Sequence, residues 1–126
     1  MAILGHGIDA VDIARIQRML SDHTDRFLDR CFTPEERARG QSTRRYAQHI
    51  AARFAAKEAA MKALGTGLTS GVAWTDFSVR VDAAGRPLLH VSGKAAEIAQ
   101  AQGISRWHVS LTHTDSLAIA SVIAEG

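Results

Sequence analysis

Cysteine, proline and aromatic side chains are all scarce in this chain, and each scarcity removes a class of protein. With one cysteine, Cys31, in 126 residues no internal disulfide can form. The disulfide-stapled secreted scaffolds are therefore excluded and a reduced, cytoplasmic setting is expected. Two prolines against ten glycines are too few for a proline-rich or collagen-like chain. Aromatic residues at 6% supply little for the stacking platforms of single-strand nucleic-acid binders. No apolar run approaches the roughly 20 residues a membrane-spanning helix needs. The opening MAILGHGIDAVDI lacks a basic leader, so neither a membrane span nor a secretion signal is expected. Net charge is also small, 15 Lys+Arg against 13 Asp+Glu.

What is present is an ordinary globular composition, 46% hydrophobic and 22% charged, in a length that buries one core without staples. One domain over residues 1–126 is expected. The arginines are unevenly placed: Arg15, Arg18, Arg26, Arg30, Arg37, Arg39, Arg44, Arg45 and Arg53 all lie in the first half. Such a basic half suits an anionic partner, whether a phosphorylated ligand, an acidic protein or nucleic acid.

Residues 2–13 alternate loosely through Ile3, Ile8, Val11 and Ile13, which predicts a strand with an irregularity at Gly5 or Gly7. Ile13, Ile16, Met19 and Leu20 then recur at helical spacing and leave Arg15 and Arg18 on the solvent side. Thr33-Pro34-Glu35-Glu36 has the form of a capping box and starts a short helix. The strongest helical signal runs from about Thr43 to Leu64, alanine-rich, with Gly65 as its stop. Residues 65–71 are a glycine-rich loop. A hairpin follows, with strands near Trp74–Val81 and Pro87–Val91. Next comes a helix from a Ser92 cap to a Gly103 stop, and a second hairpin from Trp107–Thr112 and Leu117–Ala124. Helices early and strands late predict an α+β fold with an antiparallel sheet packed on the long helix.

Four features are candidates for chemistry. Asp9 leaves a strand just after two glycines, as a turn aspartate also does. Glu58 and Lys62 are four apart, the spacing of a helix-surface pair. Gly65-Thr66-Gly67 lacks the lysine and spacing of a Walker loop and follows a helix, so a plain helix stop accounts for it equally. His108, Ser110 and Thr112 alternate with Trp107, Val109 and Leu111, as in any half-buried strand. Six scattered histidines and one cysteine offer no zinc-ligand pair, and no nucleophile elbow is present. Two carboxylates from separate elements, a lysine one turn beyond one of them, and nearby hydroxyls and arginines suit Mg²⁺, which prefers hard oxygen ligands and shares its sphere with substrate phosphates.

The four segments together are specific. GIDAVDIARI at 7–16, CFTPEE at 31–36, RFAAKEAAMKALGTG at 53–67 and VSLTHT at 109–114 closely resemble the holo-acyl-carrier-protein synthases, the small bacterial phosphopantetheinyl transferases. The resemblance spans nearly the whole chain, in order. It implies a 4′-phosphopantetheinyl transferase fold assembled as a homotrimer with its active sites at subunit interfaces. The implied reaction moves 4′-phosphopantetheine from coenzyme A to a serine of apo-acyl carrier protein, releases adenosine 3′,5′-bisphosphate and supports fatty acid biosynthesis. By the same resemblance Asp9 and Glu58 hold Mg²⁺ against the pyrophosphate, and Lys62 neutralises or protonates the departing phosphate. Gly65, Thr66 and Gly67 lie along the diphosphate. Arg53, Pro87, Thr112 and His113 serve the adenosine 3′-phosphate end across an interface. Arg15 and Arg18, flanked by Met19, form the basic helix on which the acidic carrier docks. The larger monomeric relatives carry a second acid where this chain has Val11, and they are about twice as long, so a complete site here needs a second copy. A nucleic-acid-binding module using the same arginines is the rival reading; it leaves Asp9, Glu58 and Lys62 without a role.

Overall fold

The computed structural model describes residues 1–41 and 43–126. β1 (Ile3–Asp12) runs directly into α1 (Ile13–Cys31), which kinks at His23, where the backbone leaves helical geometry. α2 (Pro34–Ala38) and the long α3 (Tyr46–Leu64) follow. A 3-10 turn (Trp74–Asp76) then leads into β2 (Phe77–Val81) and β3 (Pro87–Val91). α4 (Gly93–Ala101), β4 (Arg106–His113) and β5 (Leu117–Glu125) complete the chain. The fold is α+β as expected, and both hairpins form. They do not join: β1, β5 and β4 make one antiparallel sheet in that order, and β2–β3 a separate one. No helix among the described residues is long and apolar enough to cross a membrane.

α3 lies across the three-stranded sheet, and the fit depends on small side chains. Ala118, Ala120, Val122 and Ala124 of β5 are fully buried beneath it, as are Ala55, Ala56, Ala59 and Ala60 of the helix itself. On β1 the contact is closer still. A Cβ built on Gly5 would strike the Ala63 carbonyl oxygen; one on Gly7 would strike the Ala59 carbonyl oxygen and come within 3.0 Å of the Ala63 amide nitrogen. The strand backbone thus rests on the helix backbone, and the predicted irregularity of β1 is a register shift between Ile3 and Gly5. On the far side of α3, bulk returns: Phe27, Phe32 and Phe54 cluster with ring centroids 5.4 to 6.5 Å apart.

A buried ion pair joins α3 to the remaining elements. The Thr33–Glu36 capping box forms as predicted, with Glu36 Oε1 accepting from the Thr33 amide at 3.0 Å. The same carboxylate meets Lys57 Nζ at 2.7 Å, both side chains having 0% exposure, and accepts from the Val79 amide at 2.8 Å. Lys57 in turn donates to the carbonyls of Trp74 and Phe77.

Three element boundaries differ from expectation. α3 starts at Tyr46 rather than Thr43, because Thr43 turns the chain by donating its hydroxyl to Gly40 O and the Tyr46 hydroxyl is held by Arg37 O at 2.8 Å. Residues 74–76 coil instead of extending, since the Asp76 carboxylate accepts from the Ala73 amide. Ser92 makes no side-chain cap for α4; Asp76, from a distant turn, takes that place by accepting from the Ala95 amide at 3.1 Å.

The glycine contact gives a direct expectation. Gly7→Ala should lower stability by about 1–3 kcal/mol or more, the range for an added group that a packed interface cannot absorb, read as a shift in the denaturant midpoint. An unshifted midpoint would show that β1 does not press on α3.

Candidate active site

The close seating of β1 on α3 decides where the charged groups meet. Asp9 is two residues beyond Gly7 and so points to the same face of the strand, toward the helix turn that carries Glu58 and Lys62. Lys62 Nζ donates to Ile8 O at 2.9 Å and to Asp9 Oδ1 at 3.2 Å. The lysine read as an i, i+4 partner of Glu58 is therefore bonded to β1. The Asp9 side chain is 11% exposed and Lys62 56%. Asp9 Oδ2 is buried and has no hydrogen-bond partner. Burial first, then the adjacent Asp9 carboxylate, pushes the Glu58 carboxyl above its ordinary value, with Arg15 and Lys62 pulling the other way. Two carboxylates held this close, one with a buried oxygen lacking any donor, form a site short of positive charge.

Glu58 and Lys62 open onto a cavity of about 510 Å³ that is also lined by Met61, Gly65, Gly67, Leu68 and Trp74. Gly65 ends α3 in the left-handed conformation, φ 87°, and thereby turns the loop over the cavity. Thr66, between the two lining glycines, is half-buried, and its carbonyl is tied by the Thr69 hydroxyl. The predicted Asp9, Glu58, Lys62 and 65–67 group is thus brought together within one chain.

The other expected coenzyme residues lie elsewhere. Arg53 is nine residues before Lys62, two and a half turns, and so faces the other side of α3 about 13 Å away along the axis. It is buried, its Nε has no partner, and burial first, then the Arg39 charge, lowers its pKa while Glu36 acts the other way. Beside it His49 is lowered to about 4, by burial first and the Arg53 charge second. Thr112 and His113 are exposed at the end of β4, which β5 separates from β1. Pro87 begins β3 in the other sheet. None of these four lines the cavity around Glu58.

Arg15 and Met19 line a second cavity of about 780 Å³ with His23, Arg26, Phe27, Arg30 and Phe54 among its walls; Arg18 is exposed on the same helix. Arg15 is not remote from the 53–67 segment: Phe54 of that segment shares its cavity, and the Arg15 charge acts on Glu58. His23 carries no sequence expectation, and Arg26 and Arg30 enter only as part of the basic half, although 15, 19, 23, 26 and 30 follow one helical face. Trp74 and Leu68, which line both cavities, had no local signal, because the 3-10 turn and the loop that carry them have no periodicity to read.

The chain as a whole has relatives. A family model described as the 4′-phosphopantetheinyl transferase superfamily matches residues 5–121. The holo-[acyl-carrier-protein] synthase of Koribacter versatilis is 50% identical over 123 residues, 98% of each chain. That of Photobacterium profundum is 44% identical over 125 residues, 99% of each. Among solved structures, holo-[acyl-carrier-protein] synthase from Neisseria meningitidis superposes with a TM-score of 0.88 at 35% identity, covering 99% of this chain and 100% of that one. The Helicobacter pylori enzyme in complex with coenzyme A has a TM-score of 0.84 at 30% identity, covering 95% of this chain and 99% of that one. With a family match over most of its length and full-length relatives built on the same fold, the chain belongs to the holo-[acyl-carrier-protein] synthases of the 4′-phosphopantetheinyl transferase superfamily.

Proposed function

We propose that this protein transfers 4′-phosphopantetheine from coenzyme A to a serine of apo-acyl carrier protein, with Asp9 and Glu58 as ligands of Mg²⁺ and Lys62 on the departing phosphate. The observation that carries the reading is the carboxylate pair beside the cavity that Glu58 and Lys62 line, with Asp9 Oδ2 buried and unpaired while its Oδ1 meets that lysine. Two hard oxygen donors, with no third His, Cys, Asp or Glu clustered among the described residues, fit a cation that keeps waters and substrate phosphates in its sphere. When bound, Mg²⁺ supplies positive charge that offsets the charge of the pyrophosphate.

The chain's own residues account for the rest. The carrier serine oxygen forms a bond to the β-phosphorus, and the bond from that phosphorus to the oxygen bridging toward the adenosine phosphates breaks. The serine proton leaves to a carboxylate of the pair or to solvent. Lys62 has three N–H donors, two engaged on Ile8 O and Asp9 Oδ1; the third serves a phosphate oxygen, whose charge grows as the bond breaks. The left-handed turn at Gly65 and the small residues through Gly67 let the diphosphate approach the backbone. Arg53, buried without an acid of its own, is assigned to the adenosine 3′-phosphate. The cavity lined by Arg15, Met19, Arg26 and Arg30, together with Arg18 exposed on the same helix, is assigned to the acidic carrier.

The assembly proposed is a homotrimer. The sheet face away from α3 carries Ile8, 57% exposed, opposite Ser121 and diagonal to the half-buried Ile119 and Ile123, a mixed apolar and polar surface that suits a second copy. Pro87, Thr112 and His113, remote from Glu58 in one chain, then reach the coenzyme bound by a neighbour. A cytoplasmic setting accords with the single buried thiol, Cys31.

Three outcomes are expected. Asp9→Ala should abolish transfer and remove the rise in melting temperature that Mg²⁺ produces; near-normal turnover at ordinary Mg²⁺ would remove the metal site. Glu58 tests the same pair through pH. Because its carboxyl is raised in the folded protein, its ionisation weakens the fold as pH rises through that raised value. Without Mg²⁺ at pH 8, Glu58→Gln should therefore melt higher by roughly 2–4 °C, while added Mg²⁺ should stabilise only the native protein. A variant melting lower under those conditions would show that no carboxylate repulsion exists. For the assembly, inactive Asp9→Ala and His113→Ala proteins allowed to exchange subunits should recover part of the activity, since in a closed ring some interfaces pair two intact halves. A monomeric mass by light scattering, or no recovery after proven exchange, would place the site within one chain.

A further inference from the structure

We propose that Trp74 is the wall along which the pantetheine arm of coenzyme A passes from the phosphate site toward the carrier, and hence a binding residue for the arm alone; this rests on the coenzyme A reading above. The 510 Å³ cavity at Glu58 and the 780 Å³ cavity along α1 have two lining residues in common, Leu68 and Trp74, so the two cavities adjoin at these side chains and the indole is the larger wall they share.

The chemistry of the product sets the direction. After transfer the arm is attached to the carrier while the adenosine bisphosphate is the leaving fragment. An arm lying on the carrier side of the phosphorus departs with the carrier; one lying on the other side would have to be drawn back through the site. The arm itself alternates two amides with a dimethyl-substituted carbon. An indole offers such a chain an apolar face and one N–H donor.

Trp74 is also held unusually firmly for a residue in a 3-10 turn. Its ring stacks on Phe54 at 4.8 Å and 19°. Its carbonyl accepts from Lys57 at 3.3 Å, and Lys57 also holds the Phe77 carbonyl, so both ends of the turn are tied to α3 by one fully buried ammonium. A buried ion pair such as Glu36–Lys57 adds little net stability over an apolar replacement. What it does add here is a fixed position for two carbonyls, and with them the indole at the junction. Lys57 and Glu36 act through Trp74 and are positioning residues.

The test compares two ligands that differ by the arm. Dissociation constants for coenzyme A and for 3′,5′-ADP are measured by titration calorimetry on the native protein, Trp74→Ala and Trp74→Phe. Trp74→Ala should bind coenzyme A about tenfold more weakly and 3′,5′-ADP as the native protein does, with Trp74→Phe restoring most of the loss. In a Trp107→Phe protein, which leaves Trp74 as the sole tryptophan, coenzyme A should change the emission and 3′,5′-ADP should not. Equal losses for both ligands, unchanged coenzyme A affinity, or emission that responds identically to both would overturn the inference while leaving the coenzyme A reading standing. Should Trp74→Ala fail to fold, the emission of the Trp107→Phe protein decides. A native protein that binds neither ligand overturns the coenzyme A reading and the inference with it.

Discussion

Backbone-to-backbone contact between β1 and α3 is the constraint on which the remainder rests. Gly5 and Gly7 leave no side chain between the strand and the carbonyls of Ala63 and Ala59. At that separation Asp9, the next residue on the same strand face, can only lie against the helix turn that carries Glu58 and Lys62. A wider spacing would let the carboxylates part and relax their repulsion. The alanines of β5 and α3 serve the same end, since a larger residue in either row would lift the helix off the sheet. The bulk that this interface gives up is recovered on the other side of α3, where Phe27, Phe32, Phe54 and Trp74 fill the space beneath α1 and the 3-10 turn.

α3 carries two charged groups of opposite character on neighbouring residues. Lys57 and Glu36 form a closed set: the carboxylate accepts from Thr33 and Val79 as well as from the lysine, and the ammonium is spent on Glu36 and two carbonyls. Such a set is stable because every buried donor and acceptor is used. Glu58 and Asp9 form an open one, with a carboxylate raised by its neighbour and a buried oxygen left without a donor. About 100° of helix rotation separates the two. The closed set ties α3 to three other segments of the chain; the open one retains negative charge that the surrounding groups leave unsatisfied.

The two cavities differ in charge. Glu58 and Lys62 line one, with Asp9 bonded to Lys62, whereas Arg15, Arg26 and Arg30 outnumber Asp29 in the other. Arg15 belongs to both environments, lining the second cavity while lowering Glu58. Arg53 sits apart, buried with its Nε unpaired, and its charge adds to the burial that lowers His49.

Much was legible in the sequence wherever the determining interactions are local. The capping box at Thr33–Glu36, the alternation of β4, the glycine stop of α3 and the α+β order each depend on neighbours a few residues away, and each formed as expected. The family motifs marked Asp9, Glu58 and Lys62 as a unit before any contact was visible. Tertiary structure alone decided the contacts across long separations. Asp76 rather than Ser92 caps α4, Lys62 bonds to β1 rather than to Glu58, and Glu36 closes on Lys57 and Val79 as well as on its own helix. The hairpins stay in separate sheets, and Trp74 reaches the junction of the two cavities from a turn without periodicity. The physical reason is common to all of these. A residue's spacing along the chain fixes which face of its own element it shares, whereas its partner on another element is set by how closely the elements approach, and here two glycines set that distance.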